Sequence, residues 1–234
     1  MFEKVAEVRV KVKGDYACFT RPEFKAERVS YPVITPSAAR GVLEAIFWKP
    51  EIRFQIKEIW VLKLGNQMTI LRNEISSRQG KTPTIIEDQR QQRCSLILKD
   101  VEYIIFGQMI LRNHTQHCIK KYLAQFERRI AKGRCHHAPY LGNREFAASF
   151  ESSNENDKPD DTINLPMGNM LFDIAFTRDG QREEMEFKLP CANGSECVKG
   201  YKQAFFFDAN IQNGRFLIPQ EKYSEIYQLE ERND

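Results

Sequence analysis

A chain of 234 residues, 41% hydrophobic and 29% charged, has enough apolar material for one large core or two small ones and the make-up of a soluble globular protein. No apolar run reaches the ~20 residues of a membrane span. The start, Met1-Phe-Glu-Lys, lacks the apolar core of a secretion signal, so a cytoplasmic location is expected and the six scattered cysteines are expected as free thiols. A net charge of +3 does not by itself demand a polyanionic partner, so the distribution of charge has to be read along the chain.

Residues 5–13 alternate apolar and charged side chains, the period of a half-buried strand, and Gly14-Asp15 breaks it. From Tyr16 to Tyr31, aromatics interleave with Arg21, Lys25 and Arg28, which predicts an exposed basic loop. A helix follows. Thr35 is a suitable N-cap, Pro36 suits the first turn, and Ala38, Ala39, Val42, Leu43 and Ile46 form one apolar face. Pro50 ends it, leaving Arg40, Phe47 and Trp48 as side chains of interest. Residues 52–64 alternate again, Gly65-Asn66 signals a turn, and 67–75 is the expected partner strand.

Residues 76–93 read as a polar, basic loop ending in Arg90-Gln-Gln-Arg93. Strands are expected at 94–98 and 101–111, joined or interrupted at Lys99-Asp100. Between Thr115 and Lys132, Ile119, Leu123, Phe126 and Ile130 keep helical spacing, and Gly133 supplies the stop. A glycine-containing loop then runs into a strand near residue 150. The order of elements is that of a ferredoxin-like domain with extra strands, over residues 1–150. After an acidic linker at 151–164, Asp179-Gly180 and Asn213-Gly214 each signal a hairpin, so residues 165–220 are expected as a small antiparallel β-sheet domain and 221–234 as a polar, weakly helical tail. The fold class is therefore α+β.

Between residues 112 and 145 the chain carries Arg112, Lys120, Lys121, Arg128, Arg129, Lys132, Arg134 and Arg144 against Glu127 and Glu145 alone. Such a cluster is either a solvated helix face or a phosphate-binding surface. Arg21, Lys25, Arg28 and Arg40, near Tyr16, Phe19 and Tyr31, form a second candidate surface, on which bases can stack. Cys135-His136-His137 with Cys118 or His117 has irregular spacing for zinc, and no paired Cys-x-x-Cys accompanies it, so neither a metal nor a cofactor is expected. No phosphate-cradling glycine loop, nucleophile elbow or dinucleotide fingerprint occurs.

Several stretches, taken together and in order, carry a resemblance. They are Gly14-Asp-Tyr-Ala-Cys-Phe-Thr-Arg-Pro-Glu23, Ser37-Ala-Ala-Arg-Gly-Val-Leu-Glu-Ala-Ile46 with Trp48-Lys-Pro50, Arg72-Asn-Glu74, Arg90-Gln-Gln-Arg93, Gly142-Asn-Arg-Glu-Phe146 and Met170-Leu-Phe-Asp173. The chain resembles CRISPR-associated protein family 5 of the type I-C (Dvulg) subtype, among the repeat-associated RAMP proteins. The match is good over residues 5 to about 175. The resemblance implies an RRM or ferredoxin-like N-terminal domain followed by a small β domain. It implies metal-independent cleavage of the repeat hairpin in precursor CRISPR RNA, leaving a 2′,3′-cyclic phosphate. It further implies retention on the 5′ handle as a subunit of the type I-C Cascade complex, beside backbone and large subunits, with nonspecific duplex DNA as a further ligand.

Metal-free RNA cleavage needs a base for the 2′-hydroxyl, a cation for the charge on phosphorus and an acid for the leaving oxygen. The family's trio is a tyrosine at the end of the first helix and a Lys-His pair on the second. In this chain those positions hold Phe47 and Lys121-Tyr122. Three readings stand. Tyr122 does the acid/base work while Lys121 stabilises the phosphorane and lowers the tyrosine pKa. Alternatively, His117, one helical turn before Lys121, supplies an imidazole. In the third, cleavage is weak or absent and the chain is a non-catalytic, handle-binding subunit. Arg21, Lys25, Arg28, Arg40, Phe47, Lys120, Arg128, Arg129, Arg134 and Arg144 are the expected RNA contacts.

Overall fold

The alternation at the start of the chain becomes a long strand, β1 (Val5–Ala17), that turns Val8, Val10 and Val12 inward in the computed structural model, which describes residues 4–24, 27–75, 80, 85–112, 118–191 and 194–231. The elements after it are β2 (Arg28–Val29), α1 (Pro36–Ile46), β3 (Ile52–Lys63), β4 (Asn66–Ile75), α2 (Ile86–Gln89), β5 (Arg90–Leu111) and α3 (Ile119–Ala131). There follow β6 (Ser149–Glu151), β7 (Leu165–Arg178), β8 (Met185–Cys191), β9 (Gly194–Gln212), β10 (Arg215–Leu217) and α4 (Glu221–Glu231). The result is an α+β protein built on one sheet of order β6-β1-β5-β3-β10-β9-β7. β2 and β4 are added to β5, and β8 to β9. Every pairing is antiparallel except that of β2 with β5.

β5 is the spine. Its apolar run Tyr103-Ile104-Ile105 is buried on both faces, so it lacks the alternation of a half-exposed strand. The expected break at Lys99-Asp100 is a kink within one 22-residue strand, with Asp100 at φ 59°. β1 runs along one edge of it; β3 and β4 lie end to end along the other. This corrects the expected pairing of 67–75 with 52–64. The chain does not fold back at Gly65-Asn66 but bends there and continues along β5, with Gly65 at φ +80° and so close to the Lys99 carbonyl that a Cβ would crowd it.

The last third contains the same correction. β7 and β8 do not pair with each other across Asp179-Gly180; both pair with β9, one after the other, and meet at Gly200. The Asn213-Gly214 signal does make a hairpin, between β9 and β10. β10 pairs with β3 on its other side, so the strands expected as a separate small sheet extend the first one. The expected polar tail is also more than that: α4 buries Tyr223 and Ile226 in the main core, and the Tyr223 hydroxyl accepts from the Ile56 N–H at 2.8 Å.

α1 and α3 cover the sheet with apolar faces: Ala39, Val42, Leu43 and Ile46 on α1, as spacing predicts, and Ile119, Tyr122, Phe126 and Ile130 on α3, where Tyr122 is buried and the expected Leu123 only partly so. Thr35 caps α1, its Oγ1 accepting from the Ala38 N–H at 3.2 Å. No helix among the described residues is long and apolar enough to cross a membrane.

Candidate nucleic-acid interface

With its apolar side against the sheet, α3 must show the remaining side chains to solvent. Lys121, Gln125, Arg128 and Lys132 fall four, three and four residues apart, one stripe along the helix. Gln125, Arg128, Arg129, Lys132, Arg134 and Cys135 line an open groove at the C-terminal end of that stripe, with no carboxylate among them. The groove exists because α3 stops sharply. Gly133, at φ +59°, donates to the Ile130 carbonyl at 3.1 Å and Arg134 donates to Arg129 at 2.9 Å, the paired bonds of a Schellman ending. The chain then reverses over the end of α1, where the N–H of His136 donates to Ala45 at 2.8 Å and that of His137 to the same carbonyl at 3.1 Å.

α1 and α3 meet at this reversal. The Arg129 Nη1 donates to the Ile46 carbonyl at 2.7 Å, and its guanidinium lies 5.1 Å from the Phe47 ring centroid. A cation on the last carbonyls of a helix satisfies groups that would otherwise lack partners and complements the helix dipole. Trp48 is 41% exposed and stacks on the His136 ring at 5.9 Å and 24°, and His136 is 5.7 Å from His137. His136 follows Cys135 of the groove wall, so the Trp48–His136 pair sets an exposed aromatic surface next to the groove. Periodicity could not find this, because the contact joins residues far apart in sequence. The local signal is the Cys135-His136-His137 cluster, whose spacing does not suit zinc.

Other expected residues fall in different places. Lys120, Arg128, Arg134 and Arg144 are exposed, as is Lys121. Phe47 is fully buried, packed at 6.4 Å on Tyr122, so it offers no face to a base and corrects the expectation of direct contact. Tyr122 is 3% exposed and points into the core while Lys121 points out. Its phenol is pushed up by burial and by the neighbouring Glu51 carboxylate to which it is hydrogen-bonded, the opposite of the expected lowering by Lys121. A neutral phenol that holds its proton can donate but is a poor base.

Arg40 is likewise corrected. Its Nε and Nη2 grip Asp173 of β7 at 2.8 and 2.9 Å, and its Nη1 reaches Glu44 at 2.7 Å. The two carboxylates hold the guanidinium well above its ordinary pKa, and the pair pins α1 to β7. Arg21 lies over the Tyr31 ring at 4.8 Å and 3.6 Å from Glu23. Arg28 sits 3.3 Å from Glu74, which also meets Arg93 at 3.6 Å. With Arg72, which bridges to Glu145 beside Arg144 at 2.5 Å, these make a second, mixed-charge surface along β2, β4 and β5. Lys25 and His117 lie outside the described residues.

The model of the Cas5d group, described as CRISPR-associated protein (Cas_Cas5), matches residues 7–189. The chain is 55% identical over 227 residues to the CRISPR pre-crRNA endoribonuclease Cas5d of Thermus thermophilus, covering 97% of each chain. It is 41% identical over 191 residues to the protein of the same name from Mannheimia succiniciproducens, covering 72% of this chain and 85% of that one. Among solved structures it is similar to a CRISPR-associated protein, with a TM-score of 0.64 at 19% identity, covering 95% of this chain and 96% of that one. It is also similar to the functionally uncharacterized protein SMU1763c of Streptococcus mutans, with a TM-score of 0.63 at 18% identity and the same coverage. At those identities the structural likeness is one of fold.

Proposed function

Because this chain belongs to the Cas5d family of CRISPR-associated proteins, we propose that it is an endoribonuclease that cuts precursor CRISPR RNA in the repeat. The observation that carries the reading at the level of the site is the carboxylate-free groove at the end of α3, continuous with the Lys121–Lys132 stripe and flanked by Trp48 on His136. Regularly placed cations beside an exposed ring suit a ribose-phosphate strand with unpaired bases. The strand order β6-β1-β5-β3, with α1 and α3 as the crossing helices, supports a ferredoxin-like arrangement for the N-terminal part.

In the mechanism we propose, the exposed Lys121 ammonium meets the charge that builds on phosphorus as the 2′-hydroxyl attacks. His117, four residues earlier in the chain, supplies the imidazole that takes and returns the proton. Tyr122, a proton donor held by Glu51, positions α3 beneath Lys121. The product keeps its 5′ handle on the basic surface, and the protein acts in the cytoplasm as a subunit of a type I-C Cascade complex. Duplex DNA is a further, nonspecific ligand of the same cations. The test is cleavage of the organism's own repeat hairpin by the purified chain in EDTA. We expect a single cut, lost in Lys121→Ala and in His117→Ala, with RNA still bound. An intact hairpin, or unchanged cutting by both variants, would remove this assignment. Replacing Arg128, Lys132 and Arg134 together by Ala is expected to weaken RNA binding and flatten its salt dependence.

A further inference from the structure

A second cavity is lined in part by Trp48. It occupies about 330 Å³ between α1, β3, the end of β5 and α4, a size in the range of small-molecule sites. Three arginines line it: Arg40, which is held by Asp173 and Glu44, and Arg53 of β3 and Arg112 just after β5. The Nε of Arg53 and that of Arg112 are buried with no hydrogen-bond acceptor among the described residues, and neither of these two side chains has a carboxylate within ion-pair distance there. Glu44, Asp173 and Glu230 line the same cavity; Glu44 and Asp173 are already joined to Arg40, and Glu230 lies near Arg112 without forming an ion pair with it among the described residues. The Arg53 guanidinium stacks on the Tyr227 ring at 3.6 Å. Burial and then the Arg53 charge push the Arg112 guanidinium down, outweighing the nearby Glu230 and Glu44 carboxylates.

Two adjacent cations with no ion-pair partner of their own are kept from solvent at a cost in stability, and a bound anion lowers it. Guanidinium groups favour the forked geometry of phosphate. Much of the remaining wall is aromatic, with Trp48, Phe54, Phe176, Phe187 and Tyr223 in the lining. A free inorganic ion would leave those rings without a role; a flat heterocycle would use them.

We propose that this cavity binds a nucleoside monophosphate unit, its phosphate between Arg53 and Arg112 and its base against the aromatic wall that includes Trp48. The unit is either a nucleotide of a bound RNA strand or a free nucleotide. Trp48 stands beside both this cavity and the α3 groove, but Arg53 and Arg112 line the cavity alone, so their variants assign the site whether or not the groove binds RNA.

The test uses the full chain with Trp60→Phe, which leaves Trp48 as the sole tryptophan reporter. Adenosine 5′-monophosphate is expected to quench Trp48 saturably and to raise the melting temperature. Adenosine is expected to bind at least tenfold more weakly, and inorganic phosphate to compete. Arg53→Gln and Arg112→Gln should each weaken the nucleotide by tenfold or more while melting cooperatively; the melting shift of the parent gives an answer even if a variant does not fold. Equal binding of adenosine and its monophosphate, an unchanged affinity in the double variant, or no saturable binding each overturns the proposal. Repeat RNA distinguishes the two sources. If the variants lose RNA affinity together with the nucleotide, the cavity holds part of the strand. If they keep it, the cavity holds a free nucleotide. A parent that binds the monophosphate but no RNA keeps the cavity and sinks the RNA reading alone.

Discussion

Arg40 and Arg128 were both read as RNA contacts, and their surroundings give them different work. Arg40 satisfies two carboxylates and joins α1 to β7; Arg128 faces a groove with no acid in its wall. Arg40→Ala leaves Asp173, 10% exposed, without its guanidinium, and should lower unfolding stability by about 3 kcal/mol, the lower end for breaking a buried ion pair. Arg128→Ala should stay within about 0.5 kcal/mol of the parent, as surface changes do. Denaturant unfolding of both variants checks the pair of values, and equal losses would refute the division of roles. The difference was not legible beforehand because Asp173 is 133 residues from Arg40 and nothing local marks it as a partner. The α3 stripe was legible, since a helix places residues three and four apart on one face whatever the rest of the fold does. Phe47 and Tyr122 show the limit of that logic. Spacing put them near the right helices, but only the packing of α1 on α3 shows that both rings face inward.

At the level of elements, strands and helices were largely visible while their partners were not. Gly65-Asn66 and Asp179-Gly180 carry the chemistry of reversals, yet at both the chain bends and runs on along a longer strand, β5 or β9. Turn residues permit a reversal; whether one occurs depends on a strand elsewhere that is long enough to pair with both arms. α4 is hard to see in the sequence for a related reason: its apolar content is low, with Tyr223 and Ile226 in the core and Tyr227 and Leu229 packed against it. Its last turn makes a pH prediction. Burial raises the Glu230 carboxyl above its ordinary range, outweighing the nearby Arg112, Arg40 and Arg53. The folded state thus holds this proton more tightly than the unfolded one. The corresponding stability is complete below the unfolded value of about 4.3 and is lost as pH rises through the folded value. Glu230→Gln should therefore stabilise the protein at neutral pH and flatten the fall of its urea midpoint as pH rises above the unfolded carboxyl value. Parallel curves for parent and variant would contradict this.

For the whole molecule, binding at the α3 groove should follow ionic strength, with log K falling against log salt by about 0.7 per single-strand phosphate neutralised. A salt-independent affinity for repeat RNA would exclude the stripe as the footprint.

β10 has three residues, and through it the two halves of the sheet share hydrogen bonds. Phe216, fully buried and stacked on Phe207 at 5.9 Å, is its only inward side chain. So short a seam decides whether heat melts the protein once or twice. With the seam intact, cooperativity passes from β3 to β9 and calorimetry should record a single transition. Phe216→Ala, expected to cost about 3–5 kcal/mol, should split that transition, with the β7–β9 half released first.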